Sequence, residues 1–247
     1  KRVKRNPQPP FTTSTLQQEA SRKLGMSASR TMQTAQRLYE GIDIGGETLG
    51  LITYMRTDGV QMSQEAVTTA RQFISKDYGD AFVPDKPRIY KSKAKNAQEA
   101  HEAVRPTDIT RSPKTLKPYL DGDQERLYDL IWKRSVASQM ASAELDQTSI
   151  IIESSDNAIT LRSSGSIIAF EGFLKVYQED QDDLGQDTDN EEGKLLPPMT
   201  KNDNLKKSDI TPEQHFTQPP PRFTEASLVK RMEELGIGRP STYATIM

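Results

Sequence analysis

The stretch Gly50-Leu51-Ile52-Thr53-Tyr54-Met55-Arg56-Thr57-Asp58 sets a phenol two residues ahead of a guanidinium, directly after a run of β-type residues. A strand over Leu49 to Met55 would place Tyr54 and Arg56 on one face, because alternate strand residues point the same way. A phenol, with an ordinary pKa of about 10, becomes a nucleophile when a base or positive charge stands beside it. A guanidinium can take up the charge that builds on phosphoryl oxygens. Together they are the minimum equipment for attacking a phosphodiester. A lone tyrosine in such a run is more commonly a half-buried packing residue. Its company in the chain therefore decides the reading.

Five other blocks supply that company. Phe11-Thr12-Thr13-Ser14-Thr15-Leu16-Gln17-Gln18-Glu19-Ala20 and Ala35-Gln36-Arg37-Leu38-Tyr39-Glu40-Gly41 precede the tyrosine, and Asn96-Ala97-Gln98-Glu99-Ala100-His101-Glu102-Ala103-Val104-Arg105-Pro106 follows it. Near the end come Phe223-Thr224-Glu225-Ala226-Ser227-Leu228-Val229-Lys230 and Gly236-Ile237-Gly238-Arg239-Pro240-Ser241-Thr242-Tyr243-Ala244. In this order the blocks resemble the signatures of the bacterial topoisomerase I, or type IA, family over nearly the whole chain. Several motifs in register are far more specific than any one of them.

The bulk properties agree with a nucleic-acid enzyme without requiring one. At 247 residues the chain can bury a real core in one large or two small domains. The net charge of -2 conceals a basic start (Lys1, Arg2, Lys4, Arg5) and an acidic run at 179–192, so DNA contact would rest on local cations. Cysteine is absent, which excludes disulfides and thiolate metal sites and suits a reducing cytoplasm. No apolar run approaches the roughly 20 residues that span a bilayer, and no signal pattern opens the chain. The missing initiator methionine and an end just inside a new helical pattern suggest a piece of a longer protein.

Along the chain, residues 1–13 read as an extended lead-in. A helix follows with Ser14 or Thr15 as N-cap, then a second capped by Ser27 or Ser29 and stopped by Gly41, a pair compatible with a helix-turn-helix. Gly45-Gly46 marks a loop. Ser63 caps a helix carrying Val67, Ala70, Phe73 and Ile74, and Gln98 to Val104 favours a short helix. Asp123 to Met140 is the longest helical pattern, with Leu127, Leu130, Ile131, Val136 and Met140 inward. Strands are expected at 148–153, 158–163, 166–170 and Leu205 to Ile210, with an acidic loop at 178–193. A Thr224-capped helix then carries Leu228, Val229, Met232 and Leu235.

Tyr54 is the candidate nucleophile and Arg56 the phosphate clamp. Asp58 either orients Arg56 or caps the next turn, with the cap favoured. His101, beside Glu99, Glu102 and Arg105, could be held cationic for a phosphate oxygen. At Gly238 to Thr242, Pro240 in a first helical turn, a Ser241 or Thr242 cap and Arg239 together suggest an anion site. Lys230 and Arg231 are possible backbone contacts. Asp187 and Asp189 resemble a metal pair only superficially, and His215 reads as structural.

The resemblance implies more. The fold would be multidomain α+β: a mainly helical, helix-turn-helix-like domain with the tyrosine (14–140) inserted into a β-rich arch domain (1–13 and 141–222), followed by the start of a helical phosphate-binding domain (223–247). Tyr54 would join the 5′ phosphate of one cut strand, with Arg56, His101, Arg239, Ser241 and Thr242 at the phosphate. The parent would be a monomeric, ATP-independent isomerase of the cytoplasmic nucleoid, relaxing negatively supercoiled or partly single-stranded DNA. Magnesium (Mg2+) and a general acid would come from a Toprim domain preceding these residues, so the chain alone is expected to be inactive. Two competitors remain: a non-catalytic DNA-binding helix-turn-helix module, and an arch piece whose Tyr54 merely packs in the core.

Overall fold

The computed structural model of the chain describes residues 1–91, 101–156, 158–178, 196, 199–206, 208–209, 211–212, 214, 216–217 and 219–247. The chain folds into two compact units. One comprises Arg5–Ala143, Glu171–Asp182 and Phe223–Met247; the other comprises Lys1–Lys4, Glu144–Phe170 and Asp183–Arg222.

The larger unit is mainly helical. Helix α1 (Thr13–Leu24) starts earlier than the sequence suggests, because Thr12 is its N-cap. The Thr12 hydroxyl accepts from the Thr15 amide at 3.2 Å while the Thr15 hydroxyl accepts from the Thr12 amide at 2.9 Å. This reciprocal pair satisfies two of the amide donors that a helix start leaves open. Gly25, in the left-handed region at φ 63°, ends the helix. Ser27 caps α2 (Ala28–Glu40), which closes at Gly41. A hairpin of β2 (Ile42–Ile44) and β3 (Glu47–Leu49) follows, turning through Gly45 and Gly46 at φ 68° and 93°. Ser63 caps α3 (Gln64–Tyr78), which Gly79 ends. After the short α4 (Pro113–Leu116), Asp121 caps α5 (Gly122–Ser138). The five inward residues expected near α5 are all buried.

The lead-in is divided: Lys1–Lys4 belong to the smaller unit, as expected, whereas the rest, from Arg5 onward, belongs here. Phe11 is fully buried, and its carbonyl accepts from the Val104 amide at 2.7 Å. The buried Arg134 guanidinium lies 4.9 Å from the Phe11 ring centre and 5.3 Å from that of Tyr177, and its Nε donates to the Pro9 carbonyl at 2.6 Å. A cation sandwiched between rings is desolvated only because such partners replace its water.

The C-terminal helices cluster with the tyrosine as well. In α6 (Glu225–Leu235) the inward residues are Ala226, Val229 and Met232, whereas Leu235 is 55% exposed, contrary to expectation. Polar ties fasten α6: Ser14 Oγ donates to Glu233 at 2.7 Å, and Glu225 accepts from the Ala28 amide at 2.7 Å. The second tie sets a carboxylate at the positive end of α2. A single turn, α7 (Tyr243–Ile246), ends the chain.

The smaller unit holds an antiparallel sheet in the order β1 (Arg2–Arg5), β4 (Ala143–Glu153), β5 (Thr160–Phe170). The strands expected at 158–163 and 166–170 are one continuous strand. Gly165 keeps its place in the ladder opposite Thr148, so the glycine causes no break. Asp156 turns the hairpin by accepting from the Ala158 amide at 3.1 Å. Arg2 grips Asp146 with two bonds of 2.9 and 2.8 Å. No strand occurs among the described residues of 205–210, and most of the acidic loop lies outside the described residues. Among the described residues, no helix is long and apolar enough to cross a membrane.

Truncating Phe11 to Ala removes the ring on which Arg134 and Tyr177 pack, and should cost about 3–5 kcal/mol. The check is a urea titration against the unsubstituted chain; a loss under about 1 kcal/mol would show that the lead-in is not part of this core.

Candidate active site

Residues 50–57 are extended but not a regular strand. Leu51 donates its amide to the Leu38 carbonyl at 2.8 Å, Thr53 donates to Arg105 at 2.9 Å, and Thr107 donates to Leu51 at 3.0 Å. The segment is thus threaded between the end of α2 and residues 103–107, with one isolated bridge, Ile52 to Pro106. Gly50 is required by the close approach: a Cβ there would sit 2.7 Å from the Tyr39 carbonyl oxygen.

The chain then bends at Met55 and Arg56, and α1 is the cause. Thr13 Oγ1 donates to the Met55 carbonyl at 2.6 Å and accepts from the Thr57 amide at 2.8 Å. The Thr13 amide donates to the Thr57 carbonyl at 2.9 Å. Met55, fully buried, plugs the inside of the bend. Strand alternation therefore does not operate, and the strand expected over Leu49 to Met55 is corrected: β3 ends at Leu49. Tyr54 is half-buried and Arg56 is exposed.

The Tyr54 ring lies between two others. Its centroid is 5.2 Å from His101 at an interplanar angle of 53°, and 5.4 Å from Tyr39 at 66°. The Tyr39 contact sets a ring edge against a ring face, a preferred aromatic arrangement, while the His101 contact is tilted. The Tyr54 hydroxyl makes no hydrogen bond among the described residues, unlike the phenol of Tyr128, which is buried and bonded to the Arg111 carbonyl at 2.8 Å. A tyrosine serving only the core would follow the second pattern.

His101 reaches this position without the expected helix: residues 101–104 are non-helical, and residues 92–100, including Glu99, lie outside the described residues. Its backbone rests on Gly59, where any Cβ would overlap the His101 carbonyl. Glu102 and Arg105 do not turn to His101. Glu102 accepts from the Ser63 amide at 2.9 Å and from Arg105 Nε at 2.7 Å, and Arg105 also donates to the Pro106 carbonyl at 2.9 Å. Burial alone would push the Glu102 carboxyl up; those two donors outweigh it and hold the group below the ordinary glutamate range.

The glycine turn before α7 also differs from expectation. The Arg239 carbonyl accepts from the amides of Thr242 (2.8 Å) and Tyr243 (3.1 Å), while Thr242 Oγ1 accepts from the Arg239 amide at 2.8 Å. Neither Ser241 nor Thr242 makes a side-chain cap on the single helical turn, so two amides expected to be open to an anion are occupied. Arg239, Ser241 and Thr242 are exposed, and Arg239 has no ion pair among the described residues. Tyr243 packs inward, and burial, together with the Glu233 and Asp58 carboxylates, pushes its phenol up. Asp58 thus lies toward Tyr243, while Thr57 Oγ1 takes the turn-capping bond from the Gly59 amide at 2.9 Å. Lys230 and Arg231 are exposed, the latter paired with Glu234 at 3.0 Å. Asp187, Asp189 and His215 lie outside the described residues.

The arrangement therefore offers an accessible phenol flanked by an imidazole, with an exposed guanidinium two residues on. Sequence reading missed Thr13, Tyr39, Gly50 and Gly59. The paired threonines Thr12-Thr13 before a helix were the one available signal.

The DNA topoisomerase family matches residues 1–247. The chain belongs to the bacterial DNA topoisomerase I family. A topoisomerase 1 from Rickettsia bellii is 59% identical over 247 residues, covering all of this chain and 30% of that protein. One from Xylella fastidiosa is 54% identical over 248 residues, again covering 100% of this chain and 30% of its own length. The solved full-length topoisomerase I from Thermotoga maritima superposes with a TM-score of 0.79 at 37% identity, covering 99% of this chain and 38% of that one. This family segment thus spans about 30% of the curated relatives' length.

The bend and the Glu102 carboxylate can each be tested. Thr13→Val keeps the volume but strips the bonds at the bend; it should destabilise the chain by about 1–3 kcal/mol, with faster hydrogen exchange at the Thr57 amide as the local readout. Unchanged exchange would remove Thr13 from this role. Glu102, held low in the folded chain, lends stability that is complete above about pH 4.3 and lost as pH falls through its folded value. Glu102→Gln should therefore show a smaller drop in urea midpoint than the unsubstituted chain between pH 7 and pH 3.5.

Proposed function

We propose that Tyr54 is the nucleophile of a type IA strand-cleavage reaction. The supporting observation is its phenol, half-buried yet unbonded among the described residues, with His101 against its ring. In the reaction the Tyr54 oxygen forms a bond to a backbone phosphorus, and the bond from that phosphorus to the 3′ oxygen breaks. The phenol loses its proton and the departing 3′ oxygen gains one. The 5′ phosphate remains on the tyrosine. One phosphodiester replaces another, so resealing by the reverse step needs no ATP. Arg56 and Arg239 would clamp phosphoryl oxygens, His101 would donate to one, and Ser241 and Thr242 would contribute hydroxyls at the same phosphate.

Among the described residues, no three histidine or carboxylate side chains cluster so as to hold a metal. They do not fit a magnesium site, and no step above passes through one. We place the metal and the acid that protonates the 3′ oxygen in other parts of the parent protein. The 247 residues alone should bind single-stranded DNA without cutting it. The parent would act as a monomer in the cytoplasm, relaxing negatively supercoiled DNA by passing a strand through the break. A purely DNA-reading helix-turn-helix draws less support, since Leu16, Gln17, Gln18 and Glu19 of α1 are buried.

The test uses the full-length parent with magnesium and a single-stranded oligonucleotide labelled on the 5′ side and, separately, on the 3′ side of the cut. The expected product is a protein adduct carrying only the fragment whose 5′ end was freed, absent in Tyr54→Phe. An adduct that survives in Tyr54→Phe overturns the assignment. Arg56→Ala should lower cleavage by about 100-fold or more.

A further inference from the structure

Between α2 and α7 lies an open cleft of about 460 Å³ whose walls include Arg37 and Arg56, the amides of Gln33 and Gln36, and the apolar Met32 and Ala244. We propose that this cleft is a nucleotide subsite for the single strand that continues from the Tyr54 phosphate, with Arg37 holding a second phosphate. The identity of the strand rests on the reading of Tyr54 given above; the cleft itself rests on its own residues.

Charge is the first argument. No carboxylate is among the lining residues. Arg56 has no ion pair among the described residues, and Arg37 has only a loose one, 3.8 Å from Asp121 with both side chains more than half exposed. Such an exposed pair is worth little, so the guanidinium can turn to a phosphate at small cost. The second argument is shape. Residues 32, 33, 36 and 37 are neighbours on one face of α2, as i, i+3 and i+4 positions must be. They set an apolar floor beside polar walls, which matches a sugar and base attached to an anion. The third is an unmet bond. Gln36 Nε2 donates to Glu40 at 2.6 Å, but its Oε1 is buried with no partner among the described residues. A buried acceptor without a donor is unfavourable, so this side chain gains by swinging toward a donor brought into the cleft.

The experiment is fluorescence anisotropy of a labelled 12-nucleotide deoxyadenosine strand, whose bases carry amino donors, binding to the whole chain in a salt series. Arg37→Ala should weaken binding about fivefold at low salt, and the log–log salt slope should fall by about 0.7, one single-strand phosphate contact. Arg37→Glu should weaken it further. Lys201→Ala removes one exposed charge from the other unit and should leave the isotherm in place. The methyl NMR signal of Met32 should shift on addition of the same strand. Coincident isotherms for both Arg37 variants and the unsubstituted chain, an equal loss in Lys201→Ala, or an unmoved Met32 signal would each overturn the subsite. An adduct on Tyr54 with unmoved Arg37 isotherms defeats the cleft alone; shifted isotherms with an adduct that persists in Tyr54→Phe defeat the nucleophile alone.

Discussion

The hydroxyl of one buried threonine sets the arrangement on which the rest depends. Thr13 gives its single proton to the Met55 carbonyl and takes the Thr57 amide in return, while its own amide bonds to Thr57. Holding each backbone residue in a bend costs on the order of 1–2 kcal/mol in entropy, more than one net hydrogen bond returns. Several bonds converging on one residue, reinforced by a fully buried Met55 side chain, can offset that cost. Beside the bend, the phenol packs against two rings and the guanidinium lines the α2–α7 cleft.

The aromatic side is assembled from parts distant in sequence. Tyr39 lies in the last turn of α2, and its carbonyl tolerates the Tyr54 segment only because Gly50 has no side chain. His101 arrives on a segment paired through Val104 to Phe11, with its backbone seated on Gly59. The core around Phe11 therefore does more than stabilise the unit; it fixes the height at which the imidazole meets the phenol. Rings packed in contact also restrict one another's rotation, which leaves the Tyr54 oxygen with fewer orientations to lose on reaction.

How far the sequence carried this reading depended on the kind of signal. Helices were legible wherever a Ser, Thr or Asp cap met a 3.6-residue apolar pattern, as at Ser63 and Thr224, since both cues are local. The shift of α1 to Thr12 came from a capping box that uses Thr15, a less usual partner than glutamate. Tyr54, Arg56 and His101 could be singled out from motif resemblance, and the structure sets the tyrosine and histidine together. Their geometry was not legible: alternation is a property of regular strands, and the bend is imposed by a residue 41 positions before Tyr54, counted from 13 to 54. The amides expected to stand open at Gly238 to Thr242 were misread for a related reason. Sequence shows which groups are present but not that Arg239 and Thr242 would use their hydrogen bonds on each other.

Pairing, not composition, gives this region its electrostatic character. With a net charge of -2 the chain should repel a polyanion weakly at long range. Yet Arg30 is held by Asp123, Arg105 by Glu102 and Arg231 by Glu234, while Arg56 and Arg239 have no ion pair among the described residues. Carboxylates thus neutralise cations beside the site while Arg56 keeps its charge. Glu233 and Glu225, which could have quenched this surface, are spent instead on Ser14 and the start of α2. An acidic chain can in this way present a locally positive face, and salt screening over a Debye length of about 8 Å sharpens the contrast by muting the distant negative charge.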